Sequence, residues 1–214
     1  MWSQNERKPK AFPVKALTLS LSSFFEYGKR GGLFVLYGNA GVNSLAQRLL
    51  SRFVSCGYNV MVLDAGNVFD PYLISRTAQA LGREPREFLS KIVVSRSFTC
   101  HQTHALVRKV ARLNGNAARI IFILDLLTTF YDEEVPLGER KALLKKTLVL
   151  LKEISQRGVN ILATSEDPPV RVRDGFQSLL IDVADRVARV DVNDDGSLWL
   201  NSVKGVTEMT VLKR

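Results

Sequence analysis

Leu33-Phe-Val-Leu-Tyr-Gly-Asn-Ala-Gly-Val-Asn-Ser-Leu45 is the stretch on which the reading of the whole chain turns. Leu33 to Tyr37 runs without a polar break, as strands of a parallel sheet buried on both faces do. Gly38 to Asn43 is glycine- and asparagine-rich, the composition of a loop. From Ser44 to Cys56 apolar residues recur at helical spacing, and Gly57 stops the run. Strand, glycine-containing loop and helix make the unit in which a helix N-terminus can meet a phosphate.

A working phosphate loop reads G-x-x-x-x-G-K-[ST]: backbone N–H groups cradle the phosphates, the lysine neutralises them and the hydroxyl holds magnesium. In that register this chain has Gly38, Asn39, Ala40, Gly41, Val42, Asn43, Ser44 and Leu45. Asn43 replaces the second glycine, a residue type that tolerates the left-handed region. Ser44 replaces the lysine and Leu45 the hydroxyl residue. A gapped register puts Asn43 at the lysine position and Ser44 at the hydroxyl position, and still supplies no cation. Arg48 is the nearest substitute, one turn into the expected helix, where side chains lean toward the N-terminus. Charged contacts contribute about 1.5–3 kcal/mol each. Losing lysine and magnesium ligand would then cost roughly 3–6 kcal/mol, or two to four decades of affinity. Alternatively, the glycine serves the turn alone.

Outward from this unit, strands and helices alternate. Tyr58–Asp64 reads as a strand, and Asp70-Pro71 as a cap and first turn of a helix ending at Gly82. Strands follow at 92–94, 119–125 and 159–164, with helices at 101–113, 138–157 and 175–184 between and after them. Leu143, Leu144, Leu148, Leu151 and Ile154 form one stripe of the 138–157 helix. Residues 186–192 and 197–203 read as strands joined by Asn193-Asp-Asp-Gly196, a hairpin signal, with a further strand at 208–212. The fold class is therefore α/β: a mainly parallel sheet, helices on both faces, and an antiparallel C-terminal edge. Residues 1–13 read as a basic arm and 14–214 as the core.

The chain of 214 residues has a formal net charge of +9. Residues 1–31 carry six Lys/Arg against two Asp/Glu, residues 32–131 eleven against five, and residues 132–214 thirteen against fourteen. A basic N-terminal two-thirds suits a polyanionic partner, although a solvated basic surface has the same composition. No apolar run approaches the roughly 18 residues of a membrane span, and the first residues lack a signal-peptide core. A cytoplasmic protein is expected, nuclear if the source is eukaryotic. Cys56 and Cys100 read as free thiols. His101 and His104 can share a helix face, but no neighbouring Cys or acid completes a metal site, and no metal or cofactor is expected.

Several ordered segments resemble the ATPase core of the RecA/RadA recombinases and their paralogues, over about residues 16–204. They are Val62-Leu-Asp-Ala-Gly-Asn-Val-Phe-Asp-Pro71, Phe98-Thr-Cys-His-Gln-Thr-His-Ala-Leu106, Ile120-Ile-Phe-Ile-Leu-Asp125 and Val159-Asn-Ile-Leu-Ala-Thr-Ser-Glu166. The resemblance implies a RecA-like sheet, with Asp125 as the Walker B acid. It also implies a catalytic carboxylate where this chain has Gly66, and a phosphate-sensing amide where it has Ser165 and Glu166. Phosphoryl transfer rests on positioning and charge stabilisation, so lysine, base and sensor are all missing at matching positions.

The resemblance further implies two DNA-binding loops. The first, within 128–138, is acidic at Asp132-Glu-Glu134; the second, 167–175, carries Arg171 and Arg173. With Lys8 and Lys10 of the arm, these two arginines are the candidates for sequence-independent DNA backbone contacts. Phe12 is the candidate for docking on a neighbouring recombinase, paralogue or second copy. The expected function is a non-catalytic recombinase paralogue assisting homologous recombination or DNA repair. The rivals are a slow ATPase using Arg48, and a KaiC-like regulatory module without a DNA role.

Overall fold

The computed structural model describes residues 31–39, 41–113, 119–168, 174–192 and 198–204. The arm with Lys8, Lys10 and Phe12, the residues Ala40, Arg171 and Arg173, and the expected strand at 208–212 lie outside them.

Seven strands form one sheet: β1 (Gly32–Gly38), β2 (Val60–Asp64), β3 (Ile92–Arg96), β4 (Ile120–Leu124), β5 (Asn160–Glu166), β6 (Arg186–Val192) and β7 (Leu198–Lys204). Their order is β3-β2-β4-β5-β1-β6-β7. Every pairing is parallel except β6 with β7, the antiparallel edge read from the hairpin signal. The RecA-like α/β class expected from the sequence is the one observed.

The helices are α1 (Val42–Ser55), α2 (Pro71–Ala80), α3 (Pro85–Ser90), α4 (Cys100–Arg112), α5 (Leu137–Gln156) and α6 (Phe176–Val183), with a 3-10 turn at Thr128–Phe130. Pleating sends alternate strand residues to opposite faces. Phe34 and Leu36 of β1 pack with Leu49 of α1, Ile74 of α2 and Phe88 of α3. Leu33 and Val35 pack with Val107 of α4, Leu148 of α5 and Leu180 of α6. The sheet thus has a buried apolar layer on each side, which is why its central strands are apolar at consecutive positions.

Local rules set the helix starts. Asp70 caps α2, accepting from the Tyr72 N–H at 2.8 Å, with Pro71 in the first turn as the sequence indicated. The sequence reading omits α3, although Glu84-Pro85 carries the same proline signal. It also starts α1 two residues late: Gly41, at φ 118°, precedes a helix that begins at Val42. Among the described residues no helix is long and apolar enough to cross a membrane.

Candidate nucleotide-type site

In an open α/β sheet the ligand crevice lies beyond the C-terminal strand ends. Here β1, β2, β4 and β5 bring Gly38, Asp64, Asp125 and Glu166 to that edge. Gly38 pairs with Glu166 on one side and Val190 on the other. A Cβ on Gly38 would stand 1.7 Å from the Val190 carbonyl oxygen, and its backbone has φ +152°. Crowding by β6 therefore accounts for this glycine without reference to phosphate.

The helix start corrects the expected register. Asn43 is a buried residue of the first turn of α1 and does not use the left-handed conformation that its residue type tolerates; Gly41 takes it instead. Counting from Gly41 as the glycine before the helix puts Val42 at the lysine position and Asn43 at the hydroxyl position. Val42 is fully buried and Leu45 is 1% exposed, both in the core on the α1 side. Ser44 is half-buried. Val42, Asn43, Ser44 and Leu45 include no cation, so every register lacks one.

Arg48 also sits farther along than the sequence reading places it, six residues past Val42. It is exposed between buried Gln47 and Leu49 and forms no ion pair among the described residues.

Asn43 instead joins a polar chain across the strand ends. Its side-chain Nδ2 donates to the Glu166 carboxylate at 3.0 Å, and its side-chain Oδ1 accepts from the Thr164 hydroxyl. That hydroxyl in turn accepts from the Asp125 backbone N–H at 2.8 Å. The Asp125 carboxylate accepts from the Glu166 N–H at 3.0 Å and from the Thr128 hydroxyl. Asp125 lies just past β4 at φ 52°, a conformation that a short polar side chain can stabilise locally. Both of its carboxylate oxygens are thus engaged within the protein.

Gly66 lies against this aspartate. A Cβ there would stand 2.6 Å from Asp125 Cβ and 2.9 Å from its Oδ2. A carboxylate at position 66 requires Asp125 to move.

Two further residues that sequence reasoning did not single out order the surrounding loop. Asp64 is fully buried and accepts from Val68 N at 2.9 Å, Phe69 N at 3.1 Å and Arg96 Nε at 3.2 Å. Gln47 donates to the carbonyls of Asn43 and Val68, and accepts from Asp70 N at 2.7 Å. A glutamine on the apolar stripe of an otherwise regular helix is the signal that was available for Gln47.

The ends of the 167–175 loop are pinned. Arg189 holds Asp167 with two hydrogen bonds, of 2.7 and 3.2 Å, and lies over the Tyr37 ring. The Asp167 hydrogen bonds, acting against burial, hold the guanidinium firmly protonated. Buried Arg140 meets Asp174 at 3.3 Å and donates to the Phe130 carbonyl, with Phe176 beneath it. Tyr131 stacks on Phe176, and burial, with Asp125, Asp174 and Asp167 adding to it, pushes its phenol well above the ordinary range. In the first loop, Asp132 caps a turn by accepting from Glu134 N. His101 and His104 turn to different partners, Glu139 and Thr147.

The family model for Rad51 matches residues 46–169, more than half of the chain. The chain belongs to the Rad51 family. It is therefore a member of the RecA-like recombinases, with the broad association with recombination and repair that membership carries. The fold agrees: a crystal structure of the RadB recombinase superposes with a TM-score of 0.64 at 18% identity, covering 82% of this chain and 81% of that one.

Proposed function

We propose that this Rad51-family chain is a non-catalytic paralogue, which assists homologous recombination or DNA repair by binding DNA, a recombinase partner or both. The observation that carries the reading is the Asn43–Glu166 hydrogen bond. It places a carboxylate at the end of the loop where a phosphate would need a cation, and like charges there repel. The engaged Asp125, the absence of a cation from Val42 to Leu45 and the space Asp125 takes beside Gly66 support the same reading.

The partner side of the proposal rests on charge. Residues 1–131 sum to +10, from +4 and +6. Lys8, Lys10, Arg171 and Arg173 are the proposed contacts to the DNA backbone, and Phe12 the proposed docking residue for a recombinase, a paralogue or a second copy.

Titration calorimetry with ATP, with and without magnesium, tests the catalytic half. No turnover and no magnesium-dependent affinity are expected. Hydrolysis that copurifies with the chain and vanishes in Asp125→Ala overturns it.

A further inference from the structure

A basic surface lies on α4 and α5, two helices that cover the layer of the sheet opposite α1. His104, Arg108 and Arg112 follow one another at i, i+4 spacing along α4, a single row about 6 Å per step. His104 meets Thr147 of α5 at 3.0 Å, so the row faces α5. Lys146, next to Thr147, closes the row from the other helix, and Lys109 sits beside Arg108 on the outer side. Arg108, Lys109, Arg112 and Lys146 are all exposed.

Exposed Arg76 meets Asp70, and half-buried Lys91, Lys152 and Arg189 meet Glu87, Asp185 and Asp167, while exposed Arg48 is unpaired among the described residues but isolated; the ridge differs in gathering several such cations on two adjacent helices. The four ridge cations form no ion pair among the described residues, and the nearby glutamates are taken, Glu139 by His101 and Glu153 by Arg157. Residues 114–118, which follow α4, contain no acid. His104 registers the uncompensated charge: burial depresses its imidazole most, and Arg108, Lys146 and His101 depress it further.

We infer that the α4–α5 ridge, through Arg108, Lys109, Arg112 and Lys146, is a second nucleic-acid surface that contacts the phosphate backbone without reading sequence. It rests on the proposed DNA role but uses residues other than Lys8, Lys10, Arg171 and Arg173. Four cations within about two helical turns on helices roughly 8–10 Å apart suit a row of phosphates. Such contacts displace condensed counterions, and each gives the salt dependence a slope of about 0.9.

The test uses the full chain and mixed-sequence duplex DNA, with anisotropy read across a salt series. The ridge variant Arg108→Gln/Lys109→Gln/Arg112→Gln/Lys146→Gln keeps good helix formers at exposed positions, and an unchanged thermal midpoint verifies its fold. The log–log salt slope is expected to flatten by about 3 to 4. The His104 imidazole of the native chain, followed by NMR, is expected to titrate higher in the complex. Native binding with an unchanged slope in the ridge variant overturns the ridge and leaves the DNA role standing. No binding by the native chain at low salt, or binding to phosphatidylserine vesicles alone, overturns the ridge together with the DNA role.

Discussion

The amide of Asn43 and the carboxylate of Glu166 meet at 3.0 Å, although 123 residues separate them in the chain. The contact ties the first turn of α1 to the end of β5, across the mouth in which a bound phosphate would lie. Its partners extend to Thr164, Asp125 and Thr128, so the polar groups at the strand ends satisfy one another. A buried network of this kind is stabilising only while every member is paired. Glu166→Ala is expected to leave buried Asn43 without its acceptor, at about 1–3 kcal/mol. Urea denaturation of variant and native protein measures the loss. An unchanged midpoint removes the contact from the account of the site.

Gly66→Ala is expected to destabilise by about 1–3 kcal/mol, the range for overpacking. The added Cβ meets Asp125 Cβ at 2.6 Å, and Asp125 is held in place by Glu166 N. For a chain of this length each kcal/mol lowers the thermal midpoint by about 2–4 °C. Gly66→Glu, which reinstates a carboxylate, is expected to be worse and to give no ATPase activity. A stable Gly66→Glu protein with turnover contradicts both the steric argument and the non-catalytic proposal.

Much of the fold was legible because burial on both faces forces apolar runs such as Ile120–Leu124, while half-buried helices show a stripe. That Gly66, Asp125 and Glu166 share one edge was readable because each lies at or just past the C-terminal end of a strand, and strand ends collect along one edge. The Asn43–Glu166 contact was not legible. It depends on where α1 starts, and that hinges on Gly41 taking φ 118°, a choice that Gly38, Asn39 and Asn43 contest on composition alone. The sequence shows Asp64 only as the last residue of a strand; its role as acceptor for Val68 and Phe69 depends on how the following loop folds back.

Asp64→Asn tests that role. The amide keeps one carbonyl acceptor for three donors and brings an NH2 into a fully buried site. Hydrogen bonds to charged groups contribute about 1.5–3 kcal/mol, so a loss of roughly 2–4 kcal/mol is expected. Hydrogen exchange is expected to speed up at Val68 and Phe69 before it does in β4. Protection at those two amides that matches the native protein removes Asp64 as their anchor.

Asp185 links stability to pH. Its carboxylate accepts from the Leu33 N–H at 2.9 Å, where β1 begins, and from Lys152 of α5. Burial acts to raise its pKa, but the Leu33 N–H and the Lys152 ammonium outweigh it and hold the group below its ordinary value. The unfolded chain therefore binds this proton more readily than the folded one. The stabilisation from Asp185 is complete above the unfolded value of about 3.9 and disappears as pH falls through the lower folded value. Asp185→Asn has no such proton to bind. The stability gap between native and Asp185→Asn protein is expected to be constant from pH 7 to about pH 5, then to shrink toward pH 2. Denaturant midpoints measured at each pH give the gap. One that widens in acid reverses the sign of the linkage and refutes the assignment, and one that stays constant throughout places the acid sensitivity on other carboxylates.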